Sequence, residues 1–108
     1  MKNYKVQKKP FVVPTTDGND AISIAHMIAP PKWKEPFQTP EFDEFTYIIR
    51  GKKQFIIDGE EVILKAGESI KINKNVRVQY SNPFDEECEY LAICMPAFSI
   101  EKVNREEK

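Results

Sequence analysis

Apolar and polar positions alternate with a period of two along most of the chain, the spacing of half-buried β-strands. Residues 21–28 read AISIAHMI. Ile22, Ile24, His26 and Ile28 share one face, and Ser23, Ala25 and Met27 share the other. The more apolar face, which carries the only histidine, is expected to look inward. Further runs rich in β-branched and aromatic residues predict strands over 45–49, 54–57, 61–64, 69–72, 76–80 and 89–95. Turn residues punctuate them: Arg50-Gly51-Lys52, Lys65-Ala66-Gly67, Asn73-Lys74-Asn75, and the stretch 82–86. Asp58-Gly59 is a two-residue hairpin signal. Four prolines within residues 29–40 remove backbone donors and predict an extended loop there. The tail 99–107 (SIEKVNREE) is the one expected helix, with Ser99 as its cap. Short strands at this turn spacing predict an all-β sandwich or barrel. The expected division is an N-terminal arm over 1–20, a barrel over 21–98, and a short C-terminal helix and tail over 99–108.

Composition narrows the possibilities. The 108 residues suffice for one domain, and 41% are hydrophobic. Sixteen basic residues face seventeen acidic ones, a net charge of −1, so no nucleic-acid partner is expected. No apolar run approaches the roughly 20 residues of a membrane span, so no membrane association is expected. The basic, polar start does not read as a secretory signal, and a cytoplasmic location is expected. Cys88 and Cys94 on one strand would lie roughly 20 Å apart at about 3.3 Å per residue, too far for a disulfide. They also lack the CxxC spacing of a metal or redox site.

The order of the turns resembles the cupin superfamily through two motifs. One runs from glycine through proline, glycine and histidine to asparagine, at fixed intervals. Here Gly67 opens it, Asn73 stands at the proline, Asn75 at the second glycine, Val78 at the histidine, and Asn82 closes it. Asn75 is a reasonable substitute for a turn glycine, because asparagine tolerates a left-handed backbone. The other motif is a histidine pair followed by glutamate and glycine. Glu44 and Gly51 keep the required separation, but the histidine positions fall on Gln38 and Pro40, or on Phe37 and Thr39. The resemblance spans residues 21–96. The stretches EPFQTPEFDEFTYIIRG and MPAFSIEKVNRE also look like a subgroup of small single-domain cupins. The implied fold is an RmlC-like double-stranded β-helix, or jelly-roll barrel, with a short C-terminal helix.

Metal-binding cupins hold their ion with three histidines and the glutamate. The resemblance maps that set onto Gln38, Pro40, Glu44 and Val78. Proline and valine have no donor atoms, so no metal and no other cofactor is expected. A weak site from His26, Gln38 and Glu44, with Glu41 or Asp43, is the alternative. Alternation points Glu44 and Thr46 into the barrel, and Tyr80 has the parity to join them beside Val78. His26 is either a hydrogen-bonded core residue or pocket-lining. Trp33 is either a lid over the mouth or a packing residue. The carboxylates Glu41, Asp43 and Glu44 form either a solvated face or an acidic rim, and Arg50 and Arg77 read as surface residues. The ligand-binding candidates are therefore His26, Trp33, Gln38, Glu44, Thr46, Val78 and Tyr80.

Two functional readings lead. In one, a metal-free barrel binds a small sugar or organic acid. In the other, a metal-independent isomerase, epimerase or lyase uses Glu44 or His26 as acid or base, with Tyr80 assisting. A filled, purely structural barrel is a third. Phe45, Tyr47 and Ile49 have the parity of an apolar outer stripe. A homodimer is therefore expected, with residues 11–13 (FVV) as a strand exchanged between subunits.

Overall fold

The computed structural model describes residues 21–106. The N-terminal arm and its expected exchanged strand lie outside those residues. Eight strands follow in order: β1 (Ser23–Ala29), β2 (Trp33–Lys34), β3 (Asp43–Arg50), β4 (Lys52–Ile57), β5 (Glu60–Lys65), β6 (Ser69–Ile72), β7 (Val78–Asn82) and β8 (Cys88–Met95). They form two four-stranded antiparallel sheets, ordered β1-β8-β3-β6 and β2-β7-β4-β5. This is a jelly-roll barrel, whose inward side chains alternate with outward ones on every strand.

The turns explain the strand boundaries. Asp58 and Gly59 both have positive φ, 51° and 79°, which matches the right-handed twist of the β4–β5 hairpin. Asn75 sits at φ 68°, doing the conformational work of a glycine. Gly51 has φ 82°, and a Cβ there would lie 2.3 Å from the Glu87 carbonyl oxygen. Only glycine lets β3 turn into β4 against that backbone. Asn82 is fully buried. Its amide donates to the carbonyls of Ala29, Pro30 and Glu86 at 3.1, 3.1 and 2.8 Å, and its Oδ1 accepts from the Phe84 amide at 3.1 Å. One side chain thus pins the loop after β1 to the loop after β7.

Three expectations need correction. The inward face of β1 is the one carrying Ser23, Ala25 and Ala29, while Ile24, His26 and Ile28 are exposed. Hydrophobicity misassigned the faces because the outer surface of this sheet is itself apolar, and the inner side is built of small residues around a cavity. Second, the tail forms only a single 3-10 turn, Ile100–Lys102. The Ser99 hydroxyl does accept from the Glu101 amide at 3.3 Å. Asn104, at φ 54°, then ends the turn, and the chain bonds instead to the proline-rich loop. Glu41 and Glu106 amides donate to the Lys102 and Phe37 carbonyls, each at 2.8 Å, and Gln38 bridges to Arg105. Third, that loop contains the short strand β2, which pairs with β7.

Two buried clusters form most of the core: Ala29, Ile48, Cys88 and Tyr90, and Phe55, Ile72, Val78 and Tyr80. A smaller one, Phe42, Cys94 and Val103, anchors the tail. Cys88 and Cys94 are both buried free thiols.

Candidate functional site

Between the sheets lies a cavity of about 440 Å³, within the range typical of small-molecule sites. Its floor comes from strand residues that alternation turns inward. Its rim is the tail and the loop 35–41. Arg77 holds the two together, with Nε and Nη2 donating to the Glu106 carboxylate at 2.6 and 3.0 Å while its guanidinium lies 3.9 Å from the centre of the Phe37 ring. Arg105, also on the rim, comes within 3.9 Å of Glu35.

The centre of the site is Lys53 on β4. Its side chain is almost wholly enclosed, with the residue 2% exposed, and it lines the cavity. Four aromatic rings surround the ammonium: its Nζ lies 3.6 Å from the centre of Tyr90, 4.7 Å from Tyr80, 5.2 Å from Phe55 and 6.0 Å from Trp33. No carboxylate among the described residues lies within 4 Å of it. Burial lowers the Lys53 pKa from 10.5 to about 8, against the pull of the Glu44 charge. The aromatic faces favour the cation, and such contacts are worth about 2 kcal/mol when desolvated.

Glu44 on β3 lines the same cavity from the facing sheet. Its Oε1 accepts a hydrogen bond from the Tyr80 hydroxyl at 2.6 Å. Burial raises the Glu44 pKa, opposed by the Lys53 charge and by this hydrogen bond. Tyr80 is held well above the ordinary phenol pKa by burial and by the carboxylate it faces, so it acts here as a donor. Gln38 adds an unpaired group. It lines the cavity at 5% exposure, and its buried Oε1 has no hydrogen-bond partner among the described residues.

The sequence-derived candidates divide into three groups. Trp33, Gln38, Glu44 and Tyr80 line the cavity together. Thr46 and Val78 are buried but lie outside its lining, Val78 within the Phe55 cluster. His26 is on the opposite side of its sheet, with its side chain 43% exposed and Nε2 2.7 Å from Glu89 Oε2. The expected inward placement of His26 is therefore overturned. Lys53 and Tyr90 were missed. Both share the parity of residues that the structure buries, Lys53 with Phe55 and Tyr90 with Cys94. The expected strand began at residue 54 instead of 52, which left Lys53 between it and the turn over 50–52.

The residues present do not fit a transition ion. At the metal-ligand positions of the motif, Val78 offers no donor and Pro40 only a backbone carbonyl. No group of three or more His, Cys, Asp or Glu that could hold a metal occurs among the described residues. The weaker alternative also fails to assemble, because His26 points away. Glu41 instead accepts from the Asn104 amide at 2.8 Å, and Asp43 from the Lys74 backbone amide at 2.8 Å. An ammonium in the same cavity would further repel a cation.

Two facing antiparallel sheets around a cavity with a buried lysine and glutamate define a small barrel protein. Residues 25–94 match the family model described as Cupin domain, and the chain belongs to the cupin family. A cupin protein of Bacteroides fragilis superposes with a TM-score of 0.70 at 27% identity, covering 93% of this chain and 90% of that one. The EutQ protein of Clostridium difficile superposes at 0.68 with 24% identity, over 94% and 72% of the two chains. A predicted oxalate decarboxylase of Thermotoga maritima superposes at 0.64 with 25% identity, over 72% and 69%. In sequence, the chain is 38% identical over 96 residues to the endoribonuclease YbeY of Myxococcus xanthus. That match covers 89% of this chain and 33% of the relative, so the chain spans about a third of the length of the curated protein it matches.

Proposed function

We propose that the barrel binds a small polyhydroxylated molecule of the sugar type without a metal ion, with small organic acids as the competing ligand class. The observation that carries this reading is the buried, unpartnered Oε1 of Gln38 in a residue lining the cavity. A buried acceptor left unpaired costs about 1–3 kcal/mol, and a ligand hydroxyl toward which the amide turned would supply its donor. An ionised acid would not. Glu44, Glu35 and Lys53 offer further polar contacts, and Trp33 and Tyr90 offer flat apolar walls. Ribonuclease activity is no part of this proposal: the match covers only a third of the Myxococcus protein, and a net charge of −1 gives no overall electrostatic attraction to RNA.

A ligand that binds only the folded state raises the melting temperature. A thermal-shift and calorimetric screen of sugars, alditols and small carboxylic acids, with and without EDTA, tests the reading. The expected result is saturable binding of a hydroxylated ligand, unchanged by EDTA and weakened about tenfold in Gln38→Leu, the loss of one hydrogen bond. Binding that needs metal, or stoichiometric metal in protein purified without added ions, would overturn it.

A further inference from the structure

The Lys53 amine is in an unusual position for a structural lysine. It lines a cavity large enough for a ligand, it lacks an ion-pair partner among the described residues, and a carboxyl–phenol pair lines the same cavity, Tyr80 from its own sheet and Glu44 from the facing one. We propose that Lys53 is a carbonyl-reactive amine that forms an imine with an open-chain hydroxyaldehyde or hydroxyketone, with Glu44 and Tyr80 moving the protons. This rests on the reading that the barrel admits a small hydroxylated ligand, and it names that ligand's reactive group.

The chemistry balances without oxidant or reductant. The Lys53 ammonium first gives one proton to the Glu44 carboxylate. The freed Nζ lone pair attacks the carbonyl carbon and forms the C–N bond. The C=O π pair moves to oxygen, which takes that proton back from Glu44. One of the two remaining nitrogen protons passes through the Glu44–Tyr80 pair to the hydroxyl, which leaves as water. One ammonium and one carbonyl become one protonated imine and one water, with Glu44 again a carboxylate. Several features favour this use of the site. The burial of Lys53, 2% exposed, limits the water that would hydrolyse the imine. The 2.6 Å contact keeps Tyr80 as donor to Glu44, so the pair can hold or release one proton. Burial supplies the unprotonated amine: with a pKa of about 8, roughly a quarter of Lys53 is free base at pH 7.5, against about 0.1% for an ordinary lysine. The aromatic faces stabilise both the ammonium and the protonated imine.

The test uses the full chain with glycolaldehyde as probe and cyanoborohydride to trap imines at pH 7.5, followed by intact mass and peptide mapping. Lys53 is expected to acquire one hydroxyethyl group at least tenfold faster than the mean of the exposed lysines. Lys53→Arg, which keeps the charge but lacks a nucleophilic amine, should lose the fast label. Tyr80→Phe should slow labelling at Lys53 severalfold while exposed lysines react as before. Labelling of Lys53 no faster than at the surface, or an unchanged rate in Tyr80→Phe, would overturn the proposal. Alditols, which have no carbonyl, separate the two readings. If an alditol binds saturably but Lys53 is not preferentially labelled, the imine step fails and the binding reading stands. If neither occurs, both fail.

Discussion

Replacing Lys53 by methionine removes a buried charge while nearly conserving shape, and it changes how stability responds to alkaline pH. At about 1.4 kcal/mol per tenfold change in proton affinity, lowering this amine from 10.5 to about 8 corresponds to about 3 kcal/mol. Folding disfavours the protonated form, so the native state carries that penalty in full below pH 8. The penalty shrinks as pH rises through 8, where the folded amine deprotonates, and vanishes above about 10.5, where the unfolded one does too. The wild-type chain should therefore gain about 3 kcal/mol relative to Lys53→Met between pH 7.5 and 10.5. The difference between the two proteins is the quantity to read, because the other lysines and the tyrosines titrate in both. Removing Lys53 also takes the countercharge from Glu44, which offsets part of the gain in absolute stability at neutral pH but leaves the alkaline slope. Urea unfolding at half-unit pH steps, with matched m-values, measures it. A difference that stays flat over this range, or that moves against the wild type, would refute the assignment of a buried, desolvated amine.

Three further outcomes follow from the same geometry. Asn82→Ala should destabilise the barrel by about 3 kcal/mol in urea unfolding, because it removes the hydrogen bonds of a fully buried amide and leaves the buried Ala29 carbonyl without it; a loss below 1 kcal/mol would mean water takes its place. Gly51→Ala should cost about 2 kcal/mol or more, from positive φ together with the approach to the Glu87 carbonyl, whereas Gly67→Ala, with open space around its Cβ position, should show only the backbone part of that loss. We also propose a homodimer through the outer face of the β1-β8-β3-β6 sheet, where Ile24, Ile28, Tyr47 and Ile49 are exposed. Light scattering should give twice the chain mass, and Ile24→Lys with Tyr47→Lys should shift it to a monomer; a monomeric wild type would remove the proposal.

The alternation of apolar and polar positions, together with the glycine and asparagine turns, determined the architecture. The resemblance placed Glu44 inside, and period two, which sends alternate side chains to opposite faces, then carried Thr46 with it, and Tyr80 with Val78. Asp58-Gly59 and Asn75 specified their turns because few residues adopt a left-handed backbone. The same logic reached Gln38 only through motif spacing. What the sequence did not determine was which face of a strand is inner when both are partly apolar. In β1 the isoleucines lie outside, and the small Ser23 and Ala25 border the cavity, so hydrophobicity pointed the wrong way and took His26 with it. Lys53 escaped for a related reason. A lysine is ordinarily solvated, and only the convergence of Trp33, Phe55, Tyr80 and Tyr90 from separate strands makes its burial tolerable. Periodicity is a property of one strand at a time, whereas an aromatic enclosure exists only when the two sheets close on one another.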